Sequence, residues 1–134
     1  ARGEHGKPYL PDFPKAHFSL SHAEGIAACM VENRECGIDC EGVRPLRPGV
    51  LRRAFSPEEQ ALVESAEDRN LMFFRLWTLK EAYIKALGIG LSYPLKEARF
   101  RISPDGTVSG PEGFLYRQYL IRGRFVVSLA LAEE

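Results

Sequence analysis

Two acidic residues placed two positions apart inside an apolar segment are the first candidates for chemistry. Asp39 and Glu41 alternate with Ile38 and Cys40, and such alternation is typical of a β-strand. Residues i and i+2 of a strand face the same side, so the two carboxylates would repel each other unless a cation lies between them. Ligand sets made only of oxygen suit Mg²⁺, which takes one or two carboxylates together with phosphates and water. An exposed strand face with solvated acids is the alternative, and the spacing alone favours it because isolated acidic pairs are common.

A third carboxylate, Glu81, lies in the middle of the longest helical pattern, which covers residues 69–87. Lys80 precedes it and Lys85 follows four residues later, so a surface Glu–Lys pair is one interpretation. The same pattern is rich in large apolar residues, which indicates a mostly buried helix and favours a role for its charged side chains. These apolar residues are Phe73, Phe74, Leu76, Trp77, Leu79, Ala82, Tyr83 and Ala86.

Ser21, His22 and Lys7 are weaker candidates. Adjacent strand residues face opposite sides, which excludes Ser21 and His22 as the nucleophile and base of a hydrolase. Neither a nucleophile elbow, a Walker loop nor a dinucleotide fingerprint occurs in the sequence. His22 alone is more typical of a structural histidine than of a ligand. Lys7, between Gly6 and Pro8, lies in a stiff loop from which a lysine can hold a phosphate as a point charge.

The elements that must position these residues include both strands and helices. Residues 1–16 contain glycine and proline without periodicity and predict a loop. The next three strands, joined by short turns, predict an antiparallel meander, and the last two strands predict a hairpin about residues 122–123. Ser56 and Glu59 predict a helix start with a capping box, and Gly88 predicts a helix end. The predicted strands are residues 17–22, 26–31, 36–43, 97–102, 115–121 and 124–131, and the predicted helices are residues 48–54, 57–65 and 69–87.

Together these elements predict an α+β fold, in which an antiparallel β-sheet packs against one long helix and shorter helices in a single domain of residues 1–134. The 18 basic and 18 acidic side chains give zero net charge, so no global bias indicates nucleic acid. No segment approaches the roughly 20 apolar residues that a membrane span requires. Cys29, Cys36 and Cys40 match no zinc pattern and are interpreted as reduced thiols of a cytoplasmic protein.

Four segments carry distinctive residues: G-K-P at residues 6–8, F-S-L-S-H at residues 18–22, G-I-D-C-E at residues 37–41 and F-R-L-W-T-L-K-E-A-Y-I-K-A-L-G at residues 74–88. In this order and spacing they resemble the 4′-phosphopantetheinyl transferase superfamily, and within it the larger, surfactin-synthetase-activating type. The last of them contains W-x-x-K-E-A-x-x-K, which is highly specific, about forty residues after G-x-D-x-E. The resemblance implies an Mg²⁺-dependent enzyme that transfers the 4′-phosphopantetheine arm of coenzyme A to a serine of an apo acyl or peptidyl carrier protein and releases 3′,5′-ADP.

The resemblance also implies a metal site and a catalytic group. Asp39, Glu41 and Glu81 would hold Mg²⁺, or Mn²⁺ in its place, together with the pyrophosphate of coenzyme A. Asp39, Glu81 and Lys85 would form the catalytic set, with Lys85 steadying the departing 3′,5′-ADP. Glu81 would be the general base, directly or through water, although a metal lowers the pKa of a carboxylate and makes a metal-held water the alternative base.

The ligands that the resemblance implies for coenzyme A are basic or small polar residues. Lys80 and Lys85 would neutralise phosphate oxygens, and His22 with Ser21 would contact the phosphates. Lys7 would reach the 3′-phosphate near the adenine. The predicted coenzyme A ligands are therefore Lys7, Pro8, Ser21, His22, Lys80 and Lys85.

Members of the larger type consist of two similar halves with coenzyme A between them, and this chain corresponds to the second half alone. Residues 1–16 are then expected to be the end of a linker from a missing first half, and pairing with another copy of the chain is the alternative. An alternative function is a non-catalytic carrier-binding module or an incomplete half-enzyme. An Mg²⁺-dependent phosphohydrolase is a third interpretation.

A basic segment follows the acidic pair. Arg44, Arg47, Arg52 and Arg53 give four positive charges, and no acidic residue lies between positions 44 and 55. Carrier proteins of this family's reactions present an acidic helix beside the modified serine, so we expect this arginine segment to dock the carrier. A solvated charged loop is the alternative.

Overall fold

The fold was determined as a computed structural model, which describes residue 7, residues 9–90 and residues 93–134. Its elements follow the predicted order, with strands at both ends of the domain and helices between them. A short 3₁₀ turn, Leu95–Glu97, follows the last helix. The strands are β1 (His17–Ala23), β2 (Ile26–Glu32), β3 (Cys36–Gly42), β4 (Arg101–Ile102), β5 (Val108–Ser109), β6 (Phe114–Ile121) and β7 (Phe125–Ala132), and the helices are α1 (Pro48–Ala54), α2 (Pro57–Ser65) and α3 (Arg69–Leu87).

The central element is a three-stranded antiparallel sheet in the order β3-β7-β6. Helix α3 packs on one face of this sheet, where Ala130 of β7 contacts Ala82 and Ala86. The β1–β2 hairpin packs on the opposite face, since its small and apolar residues contact Ile38 and Val127. The predicted α+β class is therefore confirmed, with a hairpin, a sheet and a helical layer stacked on one another.

The predicted meander is wrong in one pairing. β2 pairs with β1, but β3 leaves the hairpin and pairs along its whole length with β7, near the other end of the chain. Consecutive strands pair most often, and the sequence carries no signal that the partner of β3 comes some ninety residues later. The predicted strand at 97–102 is reduced to Arg101–Ile102, because the chain before it forms the 3₁₀ turn.

Both predicted helix ends are confirmed by their caps. The Ser56 hydroxyl accepts the backbone N–H of Glu59, whose carboxylate in turn accepts the backbone N–H of Ser56. This reciprocal capping box satisfies two backbone donors at the start of α2. Helix α3 begins after Asp68, whose carboxylate accepts the N–H of Leu71. It ends at Gly88, which has the left-handed conformation (φ 73°) that glycine adopts without steric cost.

The backbones of β3 and α3 approach each other closely. A Cβ atom at Gly37 would overlap the backbone carbonyl oxygen of Ala82, so only glycine allows the strand to lie directly on the helix. The facing residues Ala82, Ala86 and Ala130 are small and fully buried. Deeper in the interface the hydroxyls of Thr78 and Ser128 hydrogen-bond at 2.6 Å. This contact fixes how far the strand's side chains lie from those of the helix.

The main core lies on the helical side, where α1, α2 and the segment after α3 enclose the aromatic side chains of α3. Phe55 stacks on Phe73 with ring centroids 4.9 Å apart, and Trp77 continues the stack. Among residues 9–90 and 93–134, no helix is both long and apolar enough to cross a bilayer.

Candidate active site

The three predicted carboxylates lie where β3 crosses α3. Ile38 and Cys40 face the hairpin, so the alternating residues Asp39 and Glu41 face the helix that carries Glu81. Asp39 is only 8% exposed, and Glu41 and Glu81 are partly buried. The structure thus brings the strand pair and the helix glutamate to the same side of the sheet.

The electrostatics of the site show that these carboxylates interact. Burial raises the pKa of Asp39 to about 7, and the negative charges of Glu81 and Glu41 add to that rise while Lys85 opposes it. Burial, opposed by Lys85 and reinforced by Glu41, also raises the pKa of Glu81. Carboxylates that are desolvated and repel one another favour either protonation or a bound cation.

Lys85 already supplies one positive charge to the site. Its ammonium donates hydrogen bonds to the Leu20 carbonyl at 3.1 Å, the Ile38 carbonyl at 2.9 Å and Asp39 Oδ1 at 3.3 Å. One side chain of α3 therefore ties together β1, β3 and the buried carboxylate. Its side chain is partly exposed, so the ammonium lies at the rim of the site.

One oxygen of the site lacks a hydrogen-bond partner within the described part of the chain. Asp39 Oδ2 is buried and accepts no hydrogen bond from those residues, whereas buried carboxylate oxygens are ordinarily satisfied. An all-oxygen donor set with an orphaned carboxylate oxygen fits a hard cation such as Mg²⁺. Within residues 9–90 and 93–134, however, no three histidine, cysteine, aspartate or glutamate side chains already stand at ligand spacing. The donor chemistry fits the ion, and the carboxylates would have to move together to bind it.

The side chains of Ser21 and His22 face opposite sides of β1, as the strand alternation predicts. Ser21 is 9% exposed, and its hydroxyl hydrogen-bonds Asp39 Oδ1 at 3.2 Å and accepts the backbone N–H of Cys40 at 3.1 Å. His22 is exposed on the outer face of the hairpin. Ser21 therefore supports Asp39, while only His22 remains free to meet a ligand from solvent.

Two contacts near the site were not predicted from the sequence. Arg44 donates to Glu41 Oε1 at 3.1 Å and lies over the Phe74 ring, so it belongs to the rim of the site as well as to the arginine segment. Its spacing of three residues from Glu41 was a usable signal. Ser19 is buried beside Ser21 and accepts the backbone N–H of Ile38, and the S-x-S alternation in β1 was the signal for it.

Comparison with known families decides the affiliation. The family model described as the 4′-phosphopantetheinyl transferase superfamily matches residues 35–130, which include all three carboxylates and Lys85. The chain belongs to this superfamily. The resemblance in the sequence motifs is thereby confirmed.

Curated relatives place the chain beside the larger type of 4′-phosphopantetheinyl transferase. It is 38% identical over 108 residues to 4′-phosphopantetheinyl transferase Sfp of Bacillus subtilis, covering 79% of this chain and 48% of that protein. It is 40% identical over 107 residues to 4′-phosphopantetheinyl transferase HetI of Nostoc, covering 74% of this chain and 45% of that protein. The chain spans about half the length of the curated relatives that it matches.

Solved structures of holo-[acyl-carrier-protein] synthases share the fold. The Thermotoga maritima enzyme aligns with a TM-score of 0.62 at 24% identity, covering 75% of this chain and 63% of that one. The Neisseria meningitidis enzyme gives a TM-score of 0.64 at 15% identity, with 75% and 98% coverage. A Bacillus anthracis enzyme, solved in complex with CoA (3′,5′-ADP), gives 0.57 at 18% identity, with 75% and 96% coverage. At these identities the likeness establishes the fold of the superfamily alone.

The structure places Lys80 away from the carboxylates. Its side chain is 0% exposed and its ammonium pairs with Glu59 Oε1 at 2.7 Å, with further bonds to the carbonyls of Leu95 and Ala98, both at 2.7 Å. Burial lowers the pKa of Lys80, and Glu59 opposes that change. The expectation that Lys80 neutralises phosphate does not fit this position, because all three ammonium hydrogens are used and no ligand can reach them.

Lys7 is likewise engaged within the protein. Its ammonium pairs with Glu35 at 2.9 Å and donates to the carbonyls of Cys36, Lys85 and Ala86. Two of these carbonyls belong to the last turn of α3, where a cation is favoured. The Lys7 ammonium is therefore bound at the end of α3, and this position does not fit the expected contact with the 3′-phosphate. Pro8, also predicted as a ligand, lies outside the described residues.

Replacement of Lys80 by methionine should destabilise the fold. It leaves the Glu59 carboxylate buried without its counter-ion, so we expect Lys80→Met to lower the free energy of unfolding by about 3 to 5 kcal/mol. Urea unfolding of the variant measures this loss, and Lys96→Met at an exposed lysine is the matched control with little change. An unfolding midpoint of Lys80→Met equal to that of the parent chain would contradict the structural role.

The buried carboxylate should make stability depend on pH. The folded-state pKa of Asp39, about 7, lies above its ordinary value of 3.8. The folded state therefore binds the proton more tightly than the unfolded state. The stability that this protonation contributes is complete below about pH 4 and is lost as the pH rises through about 7. In the absence of divalent cations, the free energy of unfolding of the parent chain should decrease between about pH 4 and pH 8. We expect Asp39→Asn to make this decrease smaller by about 1 to 3 kcal/mol, measured by urea unfolding. Asp12→Asn, at an exposed position, is the control, and equal pH profiles for Asp39→Asn and the parent chain would exclude the shift.

Proposed function

We propose that this chain forms the catalytic half of a phosphopantetheine–protein transferase, which moves the 4′-phosphopantetheine arm of coenzyme A to a serine of an apo carrier protein. The observation that carries the proposal is the buried Asp39, with one unsatisfied oxygen, beside Glu41, Glu81 and the Lys85 ammonium. Membership of the superfamily supplies the reaction class. A related fold solved with CoA (3′,5′-ADP) supports coenzyme A as the donor substrate.

The metal site of the proposal consists of Asp39, Glu41 and Glu81. Mg²⁺, or Mn²⁺ in its place, would contribute neutralisation of the diphosphate charge and polarisation of the attacked phosphorus. The carboxylates are prepared for a cation because their desolvation and mutual repulsion raise the pKa of Asp39 and of Glu81. Glu41 is held toward the rim by Arg44 and would have to leave this ion pair to join the other two.

Glu81 is the proposed general base. No hydrogen bond or ion pair within residues 9–90 and 93–134 engages its carboxylate, which is therefore free to accept a proton. Burial raises its pKa in the metal-free protein, whereas a bound cation would lower it, so a metal-held water is the alternative base. It would take the proton of the carrier serine hydroxyl as the serine oxygen bonds to phosphorus. The bond from that phosphorus to the bridging oxygen of the diphosphate then breaks, and 3′,5′-ADP leaves.

Lys85 is proposed to balance the charge of the departing group. Its ammonium already lies at the rim and contacts Asp39, so a phosphate oxygen arriving there would replace a weak 3.3 Å bond. Its two shorter bonds, to the carbonyls of Leu20 and Ile38, keep the ammonium in place meanwhile. His22, exposed at the end of β1, is the proposed further contact to the phosphates.

The arginine segment is the proposed docking surface for an acidic carrier. Within the described part of the chain, no ion pair involves Arg47, Arg52 or Arg53, and all three side chains are exposed on or beside α1. Their charge is therefore available to a partner, whereas Arg44 is partly neutralised by Glu41. Opposite charges steer association and fix register more than they add affinity.

A second candidate follows from the length of the chain. The chain covers 48% of a curated relative, and a carrier-binding module without turnover is the alternative. We also propose a cytoplasmic location, which suits the free thiols of Cys29, Cys36 and Cys40.

Transfer can be measured directly. With coenzyme A, Mg²⁺ and an apo carrier protein, we expect the carrier to gain the mass of one phosphopantetheine. Glu81→Gln and Asp39→Asn should each lower the rate by about 100-fold or more, because each removes a charged group that acts on the reacting atoms.

Glu67→Gln, at an exposed glutamate, is the matched control and should retain the rate. Binding of the carrier without any mass gain would favour the binding module, and release of inorganic phosphate without a mass gain would favour a phosphohydrolase. Equal rates for Glu81→Gln and the control would remove Glu81 from the mechanism.

Carrier docking is tested by charge reversal. The double variant Arg52→Glu/Arg53→Glu should raise KM for the carrier by about 5- to 20-fold, since exposed charge pairs contribute on the order of 1 to 2 kcal/mol when several are reversed. It should also weaken the salt dependence of kcat/KM, with KM for coenzyme A unchanged. Arg101→Glu/Arg117→Glu changes the net charge equally, at exposed positions of β4 and β6 instead of α1, and is the control. A carrier KM that responds identically in both double variants would refute docking at this segment.

A further inference from the structure

The strand that carries Asp39 has one free edge. β7 pairs with β3 on one side, and an edge strand turns alternate amides away from its neighbour. The two amides on either side of Asp39 meet side chains instead of a strand. Ile38 N–H donates to Ser19 Oγ at 3.0 Å, and Cys40 N–H donates to Ser21 Oγ at 3.1 Å.

The two serines match the spacing of the two amides. Ser19 and Ser21 are two residues apart and face the same side of β1, as Ile38 and Cys40 do on β3. Both serines are buried, at 4% and 9% exposure, so water does not compete for these bonds. The hydroxyls therefore take the place of a neighbouring strand over the three residues centred on Asp39, and we call this pair the serine clasp.

The rest of the segment is fixed from the other side. Gly37 lies against the backbone of α3 with no room for a side chain. The Ile38 carbonyl accepts a hydrogen bond from Lys85, so both polar backbone groups of Ile38 are bound by side chains. Ser21 also hydrogen-bonds the Asp39 carboxylate itself, whereas the hydrogen bond of Ser19 within the described residues goes to the Ile38 backbone.

We propose that Ser19 is a positioning residue: by accepting the Ile38 N–H it fixes the peptide group between Gly37 and Ile38, one residue before Asp39, and thus the direction of the carboxylate toward Glu41 and Glu81. The inference rests on the proposed function, in that the direction matters because the carboxylates receive a cation. Without the hydroxyl, the Ile38 amide is buried and unsatisfied, and β3 gains freedom to shift along α3. Removal of a group that orients a metal ligand without itself binding the metal lowers the metal affinity strongly.

The test compares Ser19→Ala, Ser19→Cys and Ser19→Thr in the full chain. Hydrogen exchange of the Ile38 amide, followed by NMR, should be about 10-fold faster or more in the alanine and cysteine variants, because the amide has lost its acceptor. Titration with Mn²⁺ alone should give a Kd raised about 10-fold in the same two variants. Ser19→Thr keeps a hydroxyl and should restore both values toward those of the parent chain.

Ser56→Ala is the matched control. Ser56 is also buried and also accepts one backbone N–H, at 3.2 Å, but it caps α2. Its loss should lower the unfolding midpoint by an amount similar to that of Ser19→Ala while leaving Ile38 exchange and the Mn²⁺ Kd unchanged. A general loss of stability therefore cannot produce the expected pattern.

The outcomes separate this inference from the proposed function. If Asp39→Asn weakens Mn²⁺ binding and Ser19→Ala does not, the positioning role is overturned and the metal site stands. If Asp39→Asn leaves Mn²⁺ binding unchanged, the proposed metal site fails and the positioning role fails with it. Retained Ile38 protection in Ser19→Ala would overturn the serine clasp whatever the Mn²⁺ result.

Discussion

The close contact between β3 and α3 is the constraint on which the site depends. Gly37 lets the strand backbone lie on the helix backbone at Ala82, and small residues continue the contact. Because the strand is so near, Asp39 cannot turn to solvent and must face the helix side that carries Glu81. A larger residue at 37 would separate the layers and leave the carboxylates exposed and independent, as in the solvated alternative.

That proximity has an energetic consequence. Burial and repulsion raise the pKa of Asp39 to about 7, which means that its ionised form is disfavoured in the folded protein. Lys85 and Ser21 offset part of this penalty through Oδ1, and Oδ2 stays unsatisfied. The remainder makes the site receptive to a cation, since local destabilisation of this kind can be relieved by a ligand. The ionised Asp39 carboxylate therefore lowers the stability of the folded protein, and the same charge is what would bind a cation.

Features of the fold and the site that depend on neighbouring residues could be predicted from the sequence, whereas contacts between distant segments could not. The ends of α2 and α3 were predictable because their signals, the capping box at Ser56 and the glycine at 88, are local. The facing of Asp39 and Glu41 followed from strand alternation. The pairing of β3 with β7 and the engagement of Lys7 with α3 were not predictable, because each joins segments far apart in the chain and has no local signal.

The two lysines of the long helix show why motif membership does not assign a role. Successive helix residues are turned by about 100°, so Lys80 and Glu81 project in different directions, while Glu81 and Lys85 share a face. Lys80 enters the core and meets Glu59, whose second oxygen accepts the Phe100 amide. Lys85 on the other side meets β1 and β3. A buried ion pair such as Lys80–Glu59 adds little net stability compared with apolar residues in its place. Removal of one partner is nevertheless costly, because the other charge is left buried and unpaired. Lys80 therefore anchors α3 on its core side. With the helix held there, Glu81 and Lys85 face Asp39 across the close contact between β3 and α3.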